Sequence, residues 1–190
     1  VDFTSTDERN GVDPAFFDAA REVIQESLGF DPLTRPQVVN VPETSERILV
    51  KLDWNVTEDH RLSFTYQDTE ESDVSVDADE FESAWYDIPL EVEAWTGQLF
   101  SDWTNNFSTN LRVNYTETSR GQICRAGPDA GQISLDFFDI SGLEGSPLEG
   151  LLTEGEGFVA GCDNFRHAND FEDERLQLFG SGEYLLGDHL

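Results

Sequence analysis

Three groupings in this chain combine residue types that can do chemistry. An Asp-His pair occurs twice, at Asp59-His60 and Asp188-His189. A carboxylate beside an imidazole is the orienting half of an acid–base or nucleophilic apparatus. No serine or cysteine nucleophile accompanies either pair. Both sit at the same place in a short polar turn, where Asp bonds local backbone and His ends the turn. Asp73, Asp77, Asp79, Glu80 and Glu82 form a carboxylate run with Asp77, Asp79 and Glu80 as candidate Ca²⁺ ligands. The run lacks the glycine of an EF-hand loop. Cys124 and Cys162 are the two cysteines, and His167 stands apart from both. They read as a disulfide of an exported protein rather than half of a metal site. With no phosphate loop and no zinc motif, the sequence predicts no catalytic residue, no cofactor and no enzyme.

The elements that must position these residues are strands. A short acidic–aromatic phrase recurs before a turn three times, at Leu52-Asp53-Trp54, Ser101-Asp102-Trp103 and Gly182-Glu183-Tyr184. Around each phrase the side chains alternate with a period of two, which is the signature of β-structure. One face collects Ile48, Val50, Leu52, Trp54, Leu62, Phe64, Tyr66, Trp95, Leu99, Trp103, Leu111, Val113, Tyr115, Leu176, Leu178 and Tyr184, with Gly97, Ser101, Gly180 and Gly182 in its gaps. The other collects Lys51, Asp53, Arg61, Gln98, Asp102, Asn110, Arg112, Asn114, Arg175, Gln177 and Glu183. Two architectures produce such a sheet. In a soluble antiparallel sheet the apolar face packs on a second layer. In a transmembrane barrel it meets lipid while the polar face lines an aqueous lumen.

Connection lengths favour the barrel. Turns of about five residues alternate with long connections at 68–93 and 117–174, the pattern of short periplasmic turns and long outer loops. Trp54, Trp103 and Tyr184 fall level at one end, and Tyr66, Trp95 and Tyr115 at the other, like two interfacial girdles. No stretch is apolar enough for a membrane helix, so any span must be made of strands. The lipid-facing set is then Ile48, Val50, Leu52, Trp54, Leu62, Phe64, Trp103, Leu111, Val113, Leu176 and Leu178. Lys51, Asp53, Arg61, Asp102, Arg112, Arg175 and Glu183 face the lumen.

The formal net charge is −29, from 40 Asp and Glu against 11 Lys and Arg. Eleven carboxylates fall within 68–93 and thirteen within 117–174, which makes acidity a property of the loops and argues against nucleic acid as a partner. Residues 1–47 read as an outer loop with one helix over 14–28, capped by Asp13, begun by Pro14 and stopped at Gly29. Phe17, Ala20, Ile24 and Leu28 share its apolar face, and Pro32 and Pro36 mark an extended connector. Residues 48–190 read as about five strands of an incomplete barrel. The chain has no Met and stops where a further strand should begin, so it is expected to be an internal piece of a larger protein.

Gly29-Phe30-Asp31-Pro32, Arg47-Ile48-Leu49-Val50-Lys51-Leu52-Asp53-Trp54-Asn55 and Asp59-His60-Arg61-Leu62-Ser63-Phe64-Thr65-Tyr66 together resemble the barrel of TonB-dependent outer-membrane receptors. The nearest branch is the Oar-like one, whose members carry a carboxypeptidase-regulatory-like domain. The stretch 179–189 is similar to a later hairpin of the same barrels. The resemblance implies a 22-stranded barrel in the bacterial outer membrane, filled by a plug and driven through TonB to import a scarce solute. Partners would be outer-membrane lipid, the plug and remaining strands, TonB through a part not present in this chain, and an imported ligand of unknown identity. A passive porin-type barrel and a secreted β-sandwich binding module are the alternatives.

Overall fold

In the computed structural model, residues 14–35, 40–41, 43–77, 79–152, 154–155, 157–166 and 169–187 are described. Asp13, Pro36, His167 and the Asp188-His189 pair lie outside them. The described chain has one helix, α1 (Pro14–Leu28), and eight strands: β1 (Thr44–Asn55), β2 (His60–Ser75), β3 (Tyr86–Thr104), β4 (Phe107–Gly121), β5 (Ile123–Cys124), β6 (Ile133–Asp136), β7 (Gly157–Ala160) and β8 (Asp170–Tyr184). It is an all-β, mainly antiparallel protein. The chain divides into two compact units: 44–71, 89–120 and 170–190 form one, and the remainder forms the other.

The first unit is a next-neighbour sheet in the order β1-β2-β3-β4-β8. The turns after the first two acidic–aromatic phrases join β1 to β2 at 56–59 and β3 to β4 at 105–106, as the phrases predict, and the third, at 185–189, extends beyond the described residues. The Val56 and Thr57 N–H groups donate to the His60 carbonyl at 2.9 and 3.3 Å, closing the first hairpin. β3 and β4 pair from Leu90↔Arg120 to Thr104↔Phe107, with one irregularity between Asp102 and Thr104. Beyond β4, the Leu185 N–H donates to the Asn106 carbonyl at 2.8 Å, and Asn114 Nδ2 donates to Gln177 Oε1 at 3.4 Å. Both contacts fit β8 lying antiparallel in a single register. Gly180 sits beside Leu111, where an added Cβ would lie 3.3 Å from its Cδ2.

The strands run further than expected, and the long connections shrink accordingly. β2 continues to Ser75 and β3 begins at Tyr86, so most of 68–93 is strand; β4 and β8 likewise take 117–121 and 170–174. Acidic side chains do not end a strand whose backbone ladder is satisfied and whose side chains stay in water. The carboxylates at these positions therefore belong to the sheet, and acidity is not confined to loops.

The second unit is a packed body: the helix that the sequence places in an outer loop, away from any core, contributes four residues to a hydrophobic core. Its core holds Phe16, Phe17, Ala20, Ile24, Phe81, Leu148, Leu152, Phe158 and Ala160. Ring centroids lie 5.0 Å apart for Phe17–Phe81, 5.5 Å for Phe81–Phe158 and 5.6 Å for Phe16–Phe158. On α1, Phe17, Ala20 and Ile24 are buried as the helical period demands, but Leu28 is 61 % exposed, and Phe16 takes a core place instead. Gly29 ends the helix at φ +65°. β6 and β7 pair antiparallel, and residues 79–81 join β7 through the Val159 N–H to the Asp79 carbonyl and the Phe81 N–H to the Val159 carbonyl, each 2.9 Å.

Cys124 and Cys162 are joined, with Cα atoms 5.8 Å apart and a sequence separation of 38. Cys124 is anchored on β5, which pairs with Tyr86 and Asp87. Reduction should raise the rate of proteolytic cleavage within 125–161 and leave the strand signal in far-UV circular dichroism unchanged. Loss of that strand signal on reduction would contradict this division of the fold.

Candidate functional site

The two faces of the five-stranded sheet are chemically opposed. On the apolar face Leu52 and Trp54 are 62 % and 63 % exposed, and Leu178 is 72 %. Ile48, Val50, Leu62, Phe64, Trp103, Leu111, Val113 and Leu176 are exposed beside them. Isolated exposed apolar residues need no explanation, but a contiguous sheet face of them marks a surface meant to be covered. That face contains no Lys or Arg.

Aromatic rings bound it at both ends. Trp95 stacks on Tyr115, its register partner, at 5.7 Å, and Tyr66 lies 5.8 Å from Trp95 on the other side. The three rings form a row across β2, β3 and β4. At the short-turn end His60 lies 5.0 Å from Trp103, and Phe107 lies 6.4 Å from Tyr184. Trp95 and Trp103 are eight residues apart. That is about 27 Å along a strand, or roughly 20 Å of height at a barrel strand's usual tilt, near the ~25 Å apolar band of outer-membrane barrels.

Past the row the same face turns acidic, with Asp68, Glu70, Glu91, Glu93, Glu117, Glu172 and Glu174. The Tyr66 hydroxyl donates to Glu93 at 2.9 Å and the Tyr115 hydroxyl to Glu117 at 2.7 Å. The phenols thus point out of the apolar band toward the charged one. Sequence reasoning missed this band because it placed these residues in loops.

The polar face is built differently. It carries six cations (Arg47, Lys51, Arg61, Arg112, Arg120 and Arg175) and five carboxylates (Asp53, Glu71, Asp102, Asp173 and Glu183). Arg47 pairs with Glu71, and Lys51 Nζ lies 3.2 Å from Asp53 Oδ2. The Arg61 guanidinium stacks 4.6 Å over the Phe100 ring. Arg61, Phe100, Asp102, Asn110 and Glu183 help line a cavity of about 530 Å³ near the short turns. Thr96 Oγ1 donates to Asn114 Oδ1 at 2.7 Å, and Gln98 Nε2 donates to Asn110 Oδ1 at 3.0 Å. Thr96 and Phe100 are members of this face that sequence reasoning left out, although their even-numbered places on β3 mark them.

No protein-family model, curated protein or solved structure matches the chain.

Elsewhere, the acidic turn does not gather into a cation cage. Among the described residues no group of three or more His, Cys, Asp or Glu is placed to hold a metal ion. Burial, then the Asp79 and Asp77 charges, push the Glu80 carboxyl up to about 7, and burial likewise raises Asp79. The sign follows from linkage: between its ordinary 4.5 and about 7, folded Glu80 holds a proton that the unfolded chain releases. Stability of the second unit should therefore fall as pH rises through that window. Glu80→Gln should flatten the decline in thermal midpoint measured from pH 5 to 8. A midpoint that rises over this range would contradict the argument.

His60 stacks on Trp103 rather than on a nucleophile, and Asp59 offers its carbonyl to the Asp102 N–H at 2.9 Å. The Asp59-His60 pair is therefore part of the turn and its neighbouring strand.

Proposed function

We propose that the sheet is a section of the wall of a TonB-dependent outer-membrane receptor, of the Oar-like branch, that imports a scarce solute and performs no chemistry of its own. The observation that carries this reading is the exposed apolar face, roughly 20 Å tall at a barrel strand's usual tilt and bounded by aromatic rings. A secreted β-sandwich would bury Leu52, Leu111 and Leu178 under a second sheet, whereas all three are exposed. β1 and β8 end the sheet order with unpaired edges, which a complete barrel would close with further strands. A plug, those strands and TonB would act with it, and the ligand would meet the polar face.

The short turns at 56–59 and 105–106 lie at one end of the strands and the longer connections leave from the other. On this reading the short-turn end faces the periplasm and the other faces outside. The described cysteines are all disulfide-bonded, so single engineered thiols report cleanly. An impermeant maleimide on intact cells should label Asp77→Cys and spare Glu58→Cys. Equal labelling of both would refute the topology.

A further inference from the structure

We propose that the apolar face and the acidic band beyond its aromatic row form a lipid-contact surface that favours headgroups bearing a primary ammonium; this rests on the membrane reading given above. The register sets the band in rows. Glu93 faces Glu117 directly across β3 and β4, one step beyond the Trp95–Tyr115 pair on the same face. The two contacts that place β8 put Glu174 beside Glu117 and Glu172 beside Ser119. The bond from the Asp102 N–H to the Asp59 carbonyl sets β2 in the same way, with Asp68 beside Glu93 and Glu70 beside Glu91. The first row is therefore Asp68, Glu93, Glu117 and Glu174, one carboxylate on each of four adjacent strands.

Left to itself, such a row is unfavourable. Neighbouring strands lie about 4.8 Å apart, and like charges facing each other across them repel. The sheet's own cations give no relief, because they lie on its other face. Among the described residues no carboxylate of the band pairs with a lysine or arginine. Tyr66 and Tyr115 donate to Glu93 and Glu117, but a phenol brings no charge. Compensation is left to whatever covers this face. A cavity of about 470 Å³ lies over the row, lined in part by Tyr66, Asp68, Glu93, Glu117 and Glu174.

Height decides what that covering is. At a barrel strand's usual rise and tilt, the first row stands roughly 5 Å beyond the aromatic row, and Glu70, Glu91 and Glu172 stand roughly 10 Å beyond it. The headgroup layer is about 5–8 Å thick on each side of the hydrocarbon. The first row is thus level with the headgroups, while the apolar face below it holds their chains. Anionic headgroups are repelled there. A quaternary ammonium brings charge without a donor. A primary ammonium brings charge and three donors, and so can join carboxylates on neighbouring strands. A divalent ion bridging to lipid phosphate is the rival. Among the described residues no group of three or more His, Cys, Asp or Glu is placed to hold one, which favours the ammonium.

Electron paramagnetic resonance of chain-labelled lipids tests this with the protein reconstituted in phosphatidylcholine vesicles containing a chelator. Labelled phosphatidylethanolamine should enter the motionally restricted shell about threefold or more in excess of labelled phosphatidylcholine, the scale that a few exposed ion pairs supply. Labelled phosphatidylglycerol should fall below both. The quadruple variant Asp68→Asn, Glu93→Gln, Glu117→Gln, Glu174→Gln should lose the preference, and Glu183→Gln on the polar face should keep it. Far-UV circular dichroism establishes that each variant retains its sheet. Equal enrichment of phosphatidylethanolamine and phosphatidylcholine in the unaltered protein overturns the proposal without recourse to any variant. A preference that survives the quadruple variant overturns the assignment to this row. Phosphatidylglycerol rising above phosphatidylethanolamine once Ca²⁺ replaces the chelator would give the row to metal-bridged phosphate and overturn the ammonium. Failure of the membrane reading would be seen separately, as the absence of restricted lipid of any kind.

Discussion

Leu52→Arg should prevent stable insertion of the sheet into bilayers, while Leu49→Arg should leave insertion nearly unaffected. The two leucines are three residues apart on β1 and almost equally exposed, at 62 % and 66 %. They differ in face: Leu52 shares its side with Val50 and Trp54 by two-residue spacing, and Leu49 shares the opposite side with Lys51 and Asp53. An arginine on the lipid face of a barrel costs about 2–4 kcal/mol near the midplane. On a face open to water either change would stay within about 0.5 kcal/mol. The measurement is the protease-protected fraction after refolding into liposomes. A large loss for Leu52→Arg alone fits the account, whereas equal behaviour of the two variants would mean that neither face meets lipid.

Phe81→Ala should unfold the second unit and spare the sheet. Phe81 is fully buried, with rings of Phe17 and Phe158 at 5.0 and 5.5 Å. Truncating a buried phenylalanine costs about 3–5 kcal/mol through lost transfer energy and the cavity left behind. The disulfide would still tie Cys124 to Cys162, but it cannot replace the packing of α1 against residues 81 and 158. Near-UV circular dichroism and chymotrypsin digestion should show lost tertiary signal and new cleavage within 125–161. Far-UV strand signal should persist. If the strand signal collapsed as well, the two units would not be independent.

The contrast between these units explains what the sequence made legible. A strand writes its two faces directly into the chain, since every second side chain shares a surface. Leu62, Phe64 and Tyr66 needed only local spacing to be placed, and so did the rows containing Trp54 and Trp95. Strand ends were harder. Carboxylates at 68–71 and 91–93 resemble loop in sequence because charge is common there, although the ladder between β3 and β4 runs on to Leu90 and Arg120.

The phenylalanine core was invisible for a different reason. Phe16, Phe81 and Phe158 come from three distant segments, and nothing periodic links them. The helical spacing on α1 located Phe17, Ala20 and Ile24. It misplaced Leu28, because Gly29 ends the helix just beyond it, past the part that the core covers.

Nitroxide labels at Leu178→Cys and Gln177→Cys, adjacent on β8, test the central claim most directly in the reconstituted protein. Oxygen concentrates in hydrocarbon, and a neutral nickel chelate stays in water. The account predicts that the label at 178 collides mainly with oxygen and the label at 177 mainly with nickel. Both labels relaxed by nickel to the same extent would place the apolar face in water and contradict the membrane reading.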